Sequence, residues 1–136
     1  MKLLMIYCDT FSYKPQIKTL PDYPNFTEEV TLTNVLVGFI QMEEQDVENA
    51  KKVETKLVKN LKWGAKKNEV KHVVLHSFAH LSKSKAAPEI TKELFDKVEE
   101  RLKNTDYVTE QTPFGYFLDI NVQAPGRSAA RIFLDF

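Results

Sequence analysis

Residues 72–82 have the sequence HVVLHSFAHLS, in which an apolar run changes abruptly to a polar one. It begins with an apolar run, His72–Leu75, that is typical of a strand buried on both faces of a sheet. The chain then becomes polar, because two histidines and two serines follow within seven residues: His76, Ser77, His80 and Ser82. In α/β sheets, ligands bind just beyond the carboxyl ends of such strands. We therefore predict a strand that ends near Leu75, followed by a loop that is either a binding site or an ordinary polar turn.

Strand-like and helix-like patterns alternate on both sides of this segment. Strands are predicted at residues 2–8, 30–42, 106–112 and 116–122, and residues 127–136 as a last edge strand or docked tail. Apolar residues spaced three and four apart predict helices at 46–67 and 88–104. The prolines within residues 10–25 predict little regular structure there, and Gly38 indicates either a bulge or a close approach by a backbone or ligand. The order of elements predicts a single α/β domain, residues 1–136, with a mixed β-sheet and two main helices.

Composition limits the classes of protein that fit. The formal net charge is zero, which gives no reason to expect tight, nonspecific binding to nucleic acid. No run of eighteen apolar residues exists to span a bilayer, and residues 1–7 are too short an apolar run for a secretory leader. Cys8 is the only cysteine, so no internal disulfide is possible. We expect a cytoplasmic protein with no membrane partner.

Three further groups of side chains have alternative interpretations. His76 and His80 are four residues apart, but a loop is predicted there, so we predict no metal site and no cofactor. Cys8 is either a nucleophile paired with a histidine or a small buried hydrophobe, and we favour the latter. Seven lysines fall on the first predicted helix, where a solvated face is favoured over a binding patch: Lys51, Lys52, Lys56, Lys59, Lys62, Lys66 and Lys67.

Two short motifs carry a family resemblance. Residues 78–82 (FAHLS) follow a predicted strand, and residues 113–116 (PFGY) come about thirty residues later, across a helix and a strand. In this order and spacing they resemble the archaea-type N-terminal editing domain of threonyl-tRNA synthetase. The predicted strands at residues 3–9 and 35–40 are also similar to strands of that family. The resemblance implies a partial barrel like that of the D-aminoacyl-tRNA deacylases, which form homodimers.

The resemblance also implies a function and a pocket. The family hydrolyses serine wrongly attached to threonine tRNA, with help from the terminal ribose hydroxyl, so the expected partners are the tRNA 3′ end, a second copy of the chain and a threonyl-tRNA synthetase. His80 is the expected catalytic residue. The expected substrate-binding residues are Ser77, Phe78, Ala79, Met42, Thr91, Phe114, Phe117, Leu118 and Arg131.

Several of these positions depart from the family's pattern. Phe117 and Leu118 stand where the family usually has tyrosine and a lysine that places the attacking water, and Arg131 stands where it has glutamate. Loss of a water-orienting group slows such a reaction by roughly 10²- to 10⁴-fold. Two alternatives to an editing enzyme therefore stay open: a weakened member that binds tRNA ends, nucleosides or amino acids, and a dimeric structural domain with a vestigial pocket.

Overall fold

The computed structural model describes all 136 residues as six strands and two helices. The strands are β1 (Lys2–Lys18), β2 (Val30–Gln41), β3 (His72–Ser77), β4 (Val108–Gln111), β5 (Tyr116–Gln123) and β6 (Arg131–Asp135). The helices are α1 (Ala50–Lys67) and α2 (Pro88–Lys103), and two 3₁₀ segments cover Glu44–Asn49 and Ser128–Ala130. Neither helix has the length and apolar character needed to cross a bilayer.

The strands form one mixed sheet in the order β4-β3-β2-β1-β5, with β6 also paired to β1. The pairs β2–β3 and β3–β4 are parallel, whereas β1 pairs antiparallel with β2, β5 and β6. Parallel β2 and β3 end together at Gln41 and Ser77, which brings the segments that follow them to the same end of the sheet.

Strand β1 is longer than the sequence predicted, and the expectation of little regular structure after Thr10 is wrong for residues 10–18. The second half of β1 lies between β2 and β5, and Phe11 is fully buried there. Pro15 is tolerated because it stands at a register shift in the pairing with β5, and prolines are found at such irregularities. The burial of Phe11 outweighs the strand-breaking tendency of the proline.

Helices α1 and α2 pack with one face of the sheet and form the larger apolar core. Side chains alternate along β2, so Val35, Val37 and Phe39 point to the opposite face, where they form a second core that contains no helix residue. This second core is buried because the sheet curls into a partial barrel. Gly38 is not a bulge: its pairing is continuous on both sides, and a Cβ there would lie 3.0 Å from Cδ2 of Leu61. It marks a close approach between sheet and helix.

Two predicted element boundaries also change. β3 continues to Ser77, so the prediction that the loop begins after Leu75 is wrong by two residues. Hydrogen bonding extends the strand, because Thr112 donates its N–H to the carbonyl of Leu75 and Phe78 donates its N–H to the carbonyl of Ile40. The first predicted helix began at Asp46, but the α-helix begins at Ala50 and residues 44–49 are 3₁₀.

Candidate functional site

One cavity of about 520 Å³ opens at the end of the sheet where β2 and β3 finish. It is lined by the end of β2, by residues 76–80, by the start of α2 and by residues 112–118. The lining is mostly apolar, and Lys85 is the only Asp, Glu, Lys or Arg side chain in it. Pockets of this size with an apolar lining and a few polar groups are typical of small-molecule sites.

His76 is the most buried ionisable group in this lining, with 7% of its surface exposed. Its Nδ1 is hydrogen-bonded to Oγ1 of Thr112 at 2.9 Å, and its ring packs edge-on against Phe39 at 5.0 Å between centroids. Burial lowers the pKa of His76 from 6.5 to about 4, so the imidazole is neutral at pH 7. Nε2 has no protein partner and is not fully buried, which leaves it accessible from the cavity.

The first motif forms the loop after β3 and adds an aromatic wall. The ring of Phe78 packs edge-on against Phe39, at 5.2 Å, and against the imidazole of His80, at 5.0 Å. His80 lies in a turn and is exposed, unlike His76. Ser77 and Ala79 are exposed lining residues on either side of Phe78. The two neighbouring histidines therefore differ in burial, one inside the cavity wall and one at the surface.

A buried glutamine holds this loop in place. The Gln41 amide donates from Nε2 to the carbonyls of Ser82 and Ser84, both at 2.9 Å. Its Oε1 accepts the N–H groups of Leu81, at 2.6 Å, and Ser82, at 2.8 Å. Four hydrogen bonds from one side chain fix the backbone of residues 81–84 to the end of β2. The shape of the cavity therefore depends on Gln41.

Glu43 provides a second anchor for the same loop. Its carboxylate accepts the hydroxyl of Ser82 at 2.6 Å and bonds the ammonium groups of the Met1 N-terminus and Lys2. Burial alone would raise the pKa of Glu43, but the hydrogen bonds from the N-terminus, Ser82 and Lys2 outweigh it and lower the pKa to about 2. Glu43 is therefore ionised at neutral pH and holds the loop by charge-assisted hydrogen bonds.

All four residues of the second motif, residues 113–116, line the cavity. Phe114 is buried against the rings of Tyr23, at 5.0 Å, and Phe95, at 6.2 Å. Gly115 has φ of +83°, and a Cβ there would lie 2.9 Å from Cβ of Leu20. Its carbonyl accepts the N–H of Thr19 at 2.7 Å, which ties the end of β1 to this turn. Glycine is required here by both conformation and space.

The structure brings together nine of the ten predicted site residues. Those that line the cavity are Met42, Ser77, Phe78, Ala79, His80, Thr91, Phe114, Phe117 and Leu118. Arg131 is not in the lining: it begins β6, is exposed, and donates to the carbonyl of Pro125 at 2.9 Å. Arg131 therefore does not line this cavity, and its role in substrate binding stays a prediction. The strand β6 pairs with the first half of β1, with Arg131 opposite Ile6.

Two residues of the site were missed from the sequence. His76 belongs to the polar segment that was considered as a binding site, but it was not among the residues assigned to the pocket, and it lines the cavity. Alternation along β3 would have identified it, since Val74 and His76 share a strand face. Gln41 gave no sequence signal, because all its partners lie about forty residues away.

The other two chemical hypotheses find little support in the geometry. Cys8 is fully buried in the second core and outside the cavity lining. Burial raises the pKa of its thiol to about 11, so the thiol is protonated and packs as a small apolar group. No group of three or more His, Cys, Asp or Glu side chains is arranged to hold a metal ion.

Comparisons with known proteins agree with this architecture. A family model described as the archaea-specific editing domain of threonyl-tRNA synthetase matches residues 1–136. Threonine–tRNA ligases from Thermococcus gammatolerans and Thermococcus onnurineus are 30% and 31% identical over 135 residues, which is 97% of this chain. The chain spans only 22% of the length of these relatives.

A solved structure, the c-Myc DNA Unwinding Element Binding Protein, is similar in fold, with a TM-score of 0.76 over the whole chain and 99% of its own length. Its sequence identity is 13%, so the likeness concerns the fold alone. The predicted fold class is confirmed: a single α/β domain with a mixed, curled sheet and two helices, which has the same fold as this solved structure.

Proposed function

Because the chain belongs to the family of archaea-specific editing domains of threonyl-tRNA synthetase, we propose that it hydrolyses serine from mischarged Ser-tRNA(Thr). One observation carries the proposal: the two segments that resemble the family's motifs, residues 78–82 and 113–116, both contribute residues to the lining of the same cavity. The cavity is large enough for the aminoacylated 3′ adenosine of a tRNA, and its position beyond the ends of β2 and β3 leaves it accessible to an RNA end.

The lining suits a substrate with a flat base and a small amino acid. Phe78 and Phe114 offer aromatic surface for the adenine. The seryl group meets hydroxyls and main-chain groups, with Ser77 and Thr91 as nearby side chains. Since no carboxylate lines the cavity, we assign the amino group of the substrate to uncharged acceptors, which are main-chain carbonyls and side-chain hydroxyls. We assign Met42 to the apolar wall that faces the amino acid.

In the proposed reaction, water attacks the ester carbonyl carbon and forms a tetrahedral intermediate. The bond from that carbon to the ribose oxygen then breaks, the ribose oxygen takes a proton, and free serine leaves. The neighbouring ribose hydroxyl assists the attack. His80 would contact the substrate at the open side of the cavity, and neutral His76 can exchange hydrogen bonds through Nε2 deeper within it. Each is a polar group that can lower the barrier.

Leu118 limits the rate that this mechanism can reach. It is a half-buried apolar side chain in the lining, at the position where the family usually has a water-placing lysine. This observation favours a second candidate function, a member that binds tRNA ends, nucleosides or amino acids with little turnover. Calorimetry with a serine-adenosine analogue, followed by product analysis, separates the two. Hydrolysis of the natural ester supports the enzyme, and tight binding without hydrolysis supports the binding module.

The test of the editing function compares two histidine variants. His80→Ala removes a cavity side chain and is expected to slow the release of serine at least tenfold. His72→Ala is the control, because His72 also lies on β3 but bonds Glu110 outside the cavity. If wild type and both variants match buffer, the proposed function is wrong. If His72→Ala slows the release as much as His80→Ala, His80 has no special role.

We also propose two partners beyond the tRNA 3′ end, a second copy of the chain and a threonyl-tRNA synthetase. We propose a cytoplasmic location, because aminoacyl-tRNAs are used there. A dimer is supported by large apolar side chains at the surface. Ile17 and Phe117 are register partners on β1 and β5 and are 62% and 58% exposed, and Phe133 on β6 is 53% exposed. Light scattering at micromolar concentration tests the dimer directly, and a monomeric mass would contradict it.

A further inference from the structure

Helix α1 carries an exposed line of positive charge that the cavity does not use. Five lysines and one tryptophan lie along its outer side: Lys52, Lys56, Lys59, Trp63, Lys66 and Lys67. At 100° per residue they fall within an arc of about 100°, and they extend over about 22 Å of helix. We call this group the lysine stripe. All six side chains are exposed.

None of the five lysines has an acidic partner, although lysines on a simply solvated helix commonly do. On α2, Lys92, Lys97 and Lys103 each pair with a carboxylate one turn away. On α1 only Lys51, outside the stripe, forms an ion pair, with Glu54. The acids that flank the helix, Glu48 and Glu69, take part in none of the ion pairs of the chain. The two helices of one protein thus differ, and α1 keeps its positive charge unneutralised.

The aromatic member of the stripe adds a second feature that suits a polyanion with flat bases. Trp63 is 43% exposed, and the ammonium of Lys67 lies 5.2 Å from its ring centroid. An exposed tryptophan among unpaired lysines is the combination by which proteins hold nucleic acid, with lysines on phosphates and an aromatic ring available for stacking. A solvated face does not need the tryptophan.

The path of the chain connects the stripe to the cavity. Met42 lines the cavity, the 3₁₀ segment Glu44–Asn49 follows it, and α1 begins at Ala50. The stripe therefore begins about ten residues after the cavity wall and extends away from it along α1. We propose that the lysine stripe binds the phosphate backbone of the tRNA whose 3′ end occupies the cavity. The proposal rests on the proposed function for its choice of RNA, and its test does not require hydrolysis.

The experiment measures binding of uncharged tRNA(Thr) transcript to the full chain as a function of salt. Each lysine that neutralises a phosphate contributes about 0.9 to the slope of log K against log salt for duplex nucleic acid. The double variant Lys56→Gln/Lys59→Gln should therefore reduce the slope by about 2. If the tRNA affinities of wild type and variant become equal near 1 M salt, this change of slope weakens the variant's binding about 60-fold at 0.1 M salt. Trp63→Ala should weaken binding without changing the slope.

The matched control is Lys97→Gln/Lys103→Gln, which removes the same charge from α2. It should leave the slope within about 0.5 of wild type. Equal effects of the two double variants would overturn the proposal, because only net charge would then matter. An unchanged slope for the lysine stripe variant would also overturn the proposal. So would a wild-type protein that binds anionic phosphatidylserine vesicles but does not bind tRNA. A reduced slope in a protein that releases no serine would support the stripe while contradicting the editing function.

Discussion

Replacing Gln41 by leucine tests how the cavity is held in shape. Leucine keeps the buried volume but removes all four hydrogen bonds to residues 81–84. Each hydrogen bond contributes about 0.5–1.5 kcal/mol net, so losing four lowers the free energy of unfolding by at most about 6 kcal/mol. The loop is half-exposed, so water can replace some of the lost hydrogen bonds and reduce this cost. We expect Gln41→Leu to lower the free energy of unfolding by about 3 kcal/mol. For a chain of this length that corresponds to a melting temperature lower by about 10 °C.

The assay is amide hydrogen exchange at Leu81 and Ser82, measured together with thermal unfolding. In wild type both N–H groups are bonded to Oε1 of Gln41 and should exchange slowly, and in the variant they should exchange at rates close to those of an open loop. Leu102→Ala is the control, since it removes a buried core side chain and costs a comparable 2–5 kcal/mol without touching the loop. Slow exchange at both amides in Gln41→Leu would refute the reasoning.

Three other substitutions give predictions of different kinds. Gly115→Ala should lower the free energy of unfolding by about 1–3 kcal/mol in urea titrations, because alanine is strained at φ of +83° and its Cβ meets Leu20; an unchanged midpoint would contradict the turn geometry. The folded pKa of His76, about 4, lies below its unfolded 6.5, so its contribution to stability is present above pH 6.5 and is lost as pH falls to 4. His76→Phe should remove that loss, up to about 3 kcal/mol in unfolding measurements across this range, and an unaltered pH dependence would contradict the assigned burial. Leu118→Lys should raise the rate of serine release, by up to about 10²-fold, if the apolar side chain is what limits the reaction; a rate equal to or below that of wild type would argue against this.

The elements with strong periodicity could be predicted from the sequence. α2 was predicted at residues 88–104 and runs from Pro88 to Lys103, because its apolar residues recur at helical spacing and a proline begins it. The second half of β1 could not be predicted. Residues 10–13 pair with both β2 and β5, and residues beyond them pair with β5, which is distant in sequence. Pro15 stands at a register shift in the pairing of β1 with β5.

Local motifs also placed much of the candidate site. Residues 78–80 and Phe114 were identified from short motifs and lie on one cavity. Gln41 could not be found in this way, because its role consists of contacts with a loop about forty residues later. Arg131 was placed by its position in a family pattern, but it lies on β6 opposite Ile6 and is not in the cavity lining. Residues that stand together in a short motif could be assigned to the site from the sequence. Residues that meet the site only through long-range contacts could not.

A deacylation time course with the protein at micromolar concentration tests the editing function itself. Separate reactions contain Ser-tRNA(Thr), Thr-tRNA(Thr) and a D-aminoacyl-tRNA. Selective loss of the serine ester, slowed by His80→Ala and unaffected by His72→Ala, is the expected result. Time courses that match the buffer control for all three substrates would contradict the editing function.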